Sequence, residues 1–233
     1  MVLSERNQIL VVAAHPDDEV LGCGGTIARH ADSGDQVHVL IVAEGATSRL
    51  KSRDRKLVED QLLSLAQAAQ ISGSILGAAG VELLDLPDNR LDSLDRLDLI
   101  QRIEERIRFY QPACVYVHHN GDVNVDHRRL HEAVVTACRP VPGNVVKRVL
   151  SYEVPSSTEW QPPGSAPAFQ PNWFVDISDQ WLRKREALAA YASEMRLWPH
   201  ARSITAVEHL ARWRGAQVGV EAAEAFCLLR HLA

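Results

Sequence analysis

Residues 14 to 19 read A-H-P-D-D-E, an imidazole followed by three acids, directly after the apolar run Q-I-L-V-V-A-A. Carboxylates beside a buried strand are costly unless something offsets their charge, so a use for them is expected. His15 and Asp18, three residues apart, can be turned by a tight loop toward one cation, leaving Asp17 between them as a free base. Nitrogen and oxygen donors with one position left for water are what a catalytic zinc centre uses. A third ligand must then come from elsewhere. The cluster V-H-H-N-G-D-V-N-V-D-H-R-R-L-H offers His118, His119, His127 and His131. Chemistry and spacing do not choose among them, since His127 and His131 also form an i, i+4 pair on one helix face. Glu19 suits the capping of the next helix better than ligation.

Both clusters need a scaffold that brings them together. Residues 8 to 14 are continuously apolar and β-branched, the pattern of a strand buried on both faces, and we read them as the first, central strand. A helix is expected over 20–30, a strand over 37–43, and a helix from about 53 to 71 with Gly73 as its stop. A short strand over 81–84 comes next. Leu97, Ile100, Ile103, Ile107 and Tyr110 form a stripe at three- and four-residue spacing, ended by Gln111-Pro112 before a strand at 113–117. Residues 127–138 read as a helix, 145–152 as a strand, 181–192 and 205–214 as helices, and 224–230 as a late edge strand or helix. The Pro-rich stretch 154–172 reads as a long ordered loop. Strands alternating with helices predict an α/β, Rossmann-like three-layer sandwich with a mostly parallel sheet, as one domain over 1–233. In such sheets ligands bind beyond the carboxyl ends of the strands, where both clusters fall.

The rest of the composition narrows the partners. The 233 residues are 46% hydrophobic and 24% charged with a net charge of −5, which gives no global reason to bind nucleic acid or an anionic membrane. No leader pattern and no spanning apolar stretch is present, so a cytoplasmic protein is expected. Cys23, Cys114, Cys138 and Cys227 are too scattered for a zinc knuckle or disulfide framework and read as small buried side chains. The glycines of G-C-G-G-T (22–26) fail a dinucleotide fingerprint, which would require glycine at Ile27; close helix–sheet packing accounts for them better.

A-H-P-D-D-E with the downstream D-H resembles the zinc-dependent N-deacetylases of the LmbE and PIG-L family, and the likeness continues through N-G-D-V-N-V-D-H-R, T-A-C-R-P, P-N-W-F-V-D-I and A-E-A-F. The resemblance implies a Rossmann-like fold without a dinucleotide, one Zn2+, and removal of acetyl groups from N-acetylated amino sugars or related amides; our reading of the substrate extends to a nucleotide-linked sugar. It makes His15, Asp18 and His127 the metal ligands and Asp17 the general base. Many relatives carry a histidine where this chain has Asn124, whose amide donates to an oxyanion but cannot act as a cationic acid. Proton return to the leaving amine then rests on Asp17, or on His118, His119 or His200. Asp126 is expected to orient an imidazole. Arg49 and Asp88, after the second and third strands, are expected to hold polar groups of the substrate, with Arg202 of P-H-A-R-S meeting a phosphate. Trp160 and Trp173 offer stacking faces. The family implies a small-molecule N-acetylated sugar or conjugate as partner and a tendency to homo-oligomerise. Within the same chemistry a formyl amide, thiol conjugate or glycopeptide remains open. A binding module with a structural metal is the rival from another class, and a dinucleotide enzyme ranks last.

Overall fold

The computed structural model describes residues 6–233. Seven strands form one sheet: β1 (Gln8–Ala13), β2 (Gln36–Ala43), β3 (Gly80–Leu86), β4 (Cys114–His118), β5 (Arg148–Tyr152), β6 (Trp173–Asp176) and β7 (Ala223–His231). Their order is β3-β2-β1-β4-β5-β7-β6, with β3 to β5 parallel and β7 antiparallel to both β5 and β6. The helices are α1 (Asp18–Asp32), α2 (Glu59–Leu76), α3 (Arg96–Tyr110), α4 (Val125–Ala137), α5 (Trp181–Ala190) and α6 (Ile204–Ala216).

The alternation of β1 assigns the layers. Ile9, Val11 and Ala13 pack with α1, α2 and α5 side chains such as Val20, Ile27, Leu65 and Leu188, whereas Leu10, Val12 and Ala14 pack with Leu99, Ile103, Leu130 and Val134 of α3 and α4. A strand that feeds two cores has no polar face, which explains its unbroken apolar sequence. The glycines after the H-P-D-D-E turn let α1 lie close on the sheet: a Cβ on Gly22 would come within 2.3 Å of the Tyr152 ring. Among the described residues no helix is long and apolar enough to cross a membrane.

Three expectations need correction. α2 continues past Gly73, whose missing Cβ makes room for Val81; the stop is Gly77, left-handed at φ 79°. Residues 224–230 are a strand inside the sheet, because the unforeseen β6 pairs outside it and takes the edge. The strand expected from 145 begins at Arg148.

Candidate metal centre and active-site cleft

β1 and β4 are hydrogen-bonded neighbours, so the loops leaving their carboxyl ends must meet. The first loop carries His15 to Asp18 into α1. Asp17 there takes φ 110°, a conformation that costs a non-glycine residue about 1–3 kcal/mol and persists only where the surroundings enforce it. Glu19 enforces it by accepting the Asp17 N–H at 3.1 Å while the Tyr191 hydroxyl donates to its other oxygen. This is the structural task expected of Glu19. Burial lifts its carboxyl to about 7. The second loop leads into α4, where Asn124 caps the helix by accepting the Asp126 N–H at 2.8 Å and so places Asp126 and His127 in the first turn.

The result is a triad of donor atoms. Asp18 Oδ2 lies 3.2 Å from His15 Nδ1 and 3.2 Å from His127 Nε2, and the three groups converge within 4.8 Å of one another. Ligands at about 2.0–2.1 Å around a tetrahedral ion sit about 3.3 Å apart, so the spacing fits a metal. His127 Nε2 is buried and, despite its nearness to Asp18, makes no hydrogen bond. Its other nitrogen is held by Asp122 Oδ2 at 3.1 Å. That pattern, one imidazole nitrogen fixed from outside and the other buried beside Asp18 without a hydrogen bond among the described residues, suits a ligand.

A second grouping, His15 with Asp88 and Asp126, does not share this character. His15 Nε2 bonds Asp126 Oδ2 at 3.0 Å, and Asp126 also accepts the N–H groups of Asn89 and Leu91 at 2.7 and 2.9 Å. Asp88 accepts from Ser48 N and Asn89 Nδ2. These carboxylates are already satisfied, and Asp126 turns His15 so that Nδ1 faces the first triad.

The electrostatics agree that this floor favours positive charge. Burial opposes protonation of His127, but Asp18 and Asp122 outweigh it and lift its pKa to about 9. Burial works against His15 too, and its bonds to Asp126 and Asp18 raise it well above the usual histidine value. Burial pushes Asp17 well above the carboxylate range against the pull of Arg202, with Asp18, Glu19 and Glu194 adding to the rise. A base that gains a proton readily is the kind needed to take one from water.

Above the triad lies a polar cleft of about 160 Å³ whose walls include Asp17, Arg49, Asp88, Asn124, Ser156, Glu194 and Arg202. Arg202 donates to Asp17 Oδ2 at 3.2 Å and to Ser156 Oγ at 3.0 Å; Glu194 lies between Arg202 and Arg49, accepting from the latter at 3.0 Å. Asn124 reaches the cleft with one amide N–H given to Asn89 Oδ1 at 3.1 Å.

Two expected cleft residues lie elsewhere. His118 has no exposed surface: its Nε2 accepts the Ala14 N–H at 2.8 Å and its ring stacks on His127 with centroids 3.9 Å apart. His200 accepts the Arg202 N–H at 3.0 Å and packs edge-on to Trp160, outside the cleft walls. His119 and His131 bond Pro167 O and His118 O and are likewise spent. Sequence reasoning missed Asp122, Ser157, Glu194 and Ser156. Asp122 had a local signal, an acid between a strand end and a helix cap, whereas Glu194 and Ser156 come from distant loops.

Comparison with known proteins shows the family of the chain. The PIG-L sequence profile, described as GlcNAc-PI de-N-acetylase, matches residues 10–138. The chain is 28% identical to a 1D-myo-inositol 2-acetamido-2-deoxy-alpha-D-glucopyranoside deacetylase of Saccharopolyspora erythraea over 85% of this chain and 81% of that one. It is 30% identical to a 4-oxalmesaconate hydratase of Pseudomonas putida over 84% and 77%. The crystal structure of a conserved Thermus thermophilus protein, TT1542, superposes with a TM-score of 0.76 at 25% identity, covering 97% of this chain and 96% of that one. With more than half of its length matched by that profile, the chain belongs to the PIG-L (LmbE-like) family.

Proposed function

We propose that this protein is a metal-dependent amidohydrolase that removes the acetyl group from an N-acetylated amino sugar, free or nucleotide-linked. The observation that carries the reading is the convergence of His15 Nδ1, Asp18 Oδ2 and His127 Nε2 at the floor of a polar cleft with Asp17 beside them. Two imidazoles and one carboxylate suit Zn2+. His15, Asp18 and His127 would hold a zinc ion, which would supply Lewis acidity toward water and the amide carbonyl.

The chain's own residues do the rest. Asp126 and Asp122 orient the two imidazoles. Asp17 takes the proton from the attacking water and, with His118 and His119 buried and His200 outside the cleft walls, returns it to the leaving amine. The second N–H of Asn124 is free to donate to the developing oxyanion. Asp88, with Asn89 beside it, and Arg49 meet sugar hydroxyls, and Arg202 reads a phosphate when one is present while holding Asp17 in place.

One observation favours a second reading. Two guanidinium groups, Arg49 and Arg202, flank the cleft with Glu194 between them, an arrangement suited to a substrate rich in carboxylates. The same site would then serve to add water to an unsaturated polycarboxylate, and the Pseudomonas putida relative is named a hydratase. The test is acetate release from a panel of N-acetyl sugars and their nucleotide conjugates, run with zinc added and then chelated, beside loss of ultraviolet absorbance from unsaturated polycarboxylates. Zinc-dependent acetate release supports deacetylation. Absorbance loss without acetate release supports the hydratase, and failure of both with zinc bound leaves a binding module with a structural metal.

A further inference from the structure

A second hollow of about 420 Å³ opens at the other end of the parallel strands, away from the metal triad. Its walls include Thr26 of α1, His30, Tyr116 of β4, Arg148 at the start of β5, and Trp173 and Phe174 of β6. Arg148 is its unusual member. Half-buried, with its guanidinium carbon 5.0 Å from the centre of the Trp173 ring, it makes no ion pair or side-chain hydrogen bond among the described residues, and its Nε is shut off from solvent with no acceptor. Thr26, 1% exposed on the same wall, has a hydroxyl that is also without a partner.

Every other charge around the hollow is occupied. His30 is held between Asp35 and the Tyr116 hydroxyl at 2.7 and 2.9 Å, Arg29 donates to the Asp176 carbonyl, and the Asp176 carboxylate accepts from Ser178. An arginine that uses none of its donors within the described residues, and whose Nε is closed to solvent, costs free energy, and the buried unpartnered hydroxyl of Thr26 adds to that cost.

We propose that this hollow is a binding site for a small carboxylate on a flat apolar body, with the carboxylate accepting from the Arg148 guanidinium and the Thr26 hydroxyl and the body lying against Trp173 and Phe174. The volume lies within the range of small-molecule pockets. A planar carboxylate matches the fork of one guanidinium, whereas a phosphate dianion calls for more positive charge than Arg148 and Arg29 leave on walls that also carry Asp35 and Asp176.

Benzoate is a suitable probe for the zinc-loaded full-length protein, labelled with nitrogen-15, with the Arg148 Nε–H and Trp173 indole N–H resonances followed during titration. The expected result is a saturable one-to-one shift of both signals. Arg148→Gln should weaken binding about tenfold or more, and Thr26→Val about threefold, with the remaining spectrum unchanged. Arg148→Lys, which keeps the charge and loses the fork, should fall between wild type and the glutamine variant. Absence of saturation, equal affinity for inorganic phosphate, or undiminished benzoate binding by both Arg148→Gln and Thr26→Val would each overturn the assignment.

Discussion

Two clusters of buried charge lie against the same helix, α1, and are built on opposite principles. At the start of α1, His15, Asp18 and His127 crowd to within 4.8 Å, and one imidazole nitrogen is left with nothing to bond. Further along α1, Lys184 and Glu224 are as deeply buried, yet each is provided for. Lys184 Nζ donates to Glu224 Oε1 at 2.6 Å and to Leu21 O at 2.9 Å, and Glu224 also accepts the N–H groups of Gly25 and Thr26 at 2.8 and 2.7 Å. A pair with all its partners inside the protein asks for no ligand. The donors of the triad instead converge on one point, and a buried imidazole nitrogen there has no hydrogen-bond partner among the described residues. Burial of charge alone therefore does not mark a site; the unmet valence does.

Removing one group from each cluster should break them in different ways. Asp17→Asn is expected to retain zinc and the fold while turnover falls by about 10²- to 10⁴-fold, the usual share of a positioned base. Metal analysis beside a kcat measurement checks this, and near wild-type turnover would unseat Asp17. Lys184→Met is expected to do the reverse, costing about 3–5 kcal/mol in a urea unfolding series by stranding the Glu224 charge. Its zinc affinity and KM should hardly move. Adding Glu224→Gln to it should restore part of the lost stability, because the stranded charge goes while an acceptor for a backbone N–H remains.

The contrast also explains what was legible in the chain. H-P-D-D-E declared itself because its ionisable groups follow an unbroken apolar strand, and polar density at a strand end is a local signal. Lys184 gave none: in L-R-K-R-E it looks like any solvated helix face, and its burial depends on Glu224, forty positions on. The same distance hid the topology of the last three strands. W-F-V-D is too short to show a period, and only its pairing with β7 makes it a strand and moves β7 off the edge. His118 misled because a histidine just after an apolar run looks available, while its acceptor nitrogen is taken by the Ala14 amide of the neighbouring strand.

Asp122 tests whether the partners behind the triad matter as much as the triad itself. It holds His127 Nδ1 at 3.1 Å and is pinned by Asn124 N, Ser157 Oγ and Thr158 Oγ1. Burial raises its pKa, but His127 and the two hydroxyls outweigh this and leave it at about 2. Asp122→Asn should weaken zinc binding about 10- to 100-fold in a chelator competition, since the amide cannot repeat the charged contact to the ring. Unchanged affinity would mean that Asp18 and His15 alone set the site.

The smallest effect is expected at Glu44, another buried carboxylate and one as fully partnered as Glu224. It accepts from Thr47 Oγ1 at 2.6 Å, from Arg53 Nε and Nη2 at 2.9 and 3.1 Å, and from Arg55 Nη1 at 2.7 Å. Burial works against its charge, but these bonds prevail and hold its pKa below the ordinary glutamate value. A depressed carboxylate stabilises the fold above its unfolded pKa, near 4.5, and that contribution fades as pH falls through the lower folded value. Arg53 and Arg55 are 36% and 40% exposed, so solvent screening keeps the contribution to about 1 kcal/mol or less. Urea midpoints of the wild type and Glu44→Gln should therefore differ modestly at pH 7 and converge well below pH 4.5. A difference that instead grew on acidification would show that the carboxylate is held neutral, and would place Glu44 with the unmet groups of the cleft rather than with Lys184 and Glu224.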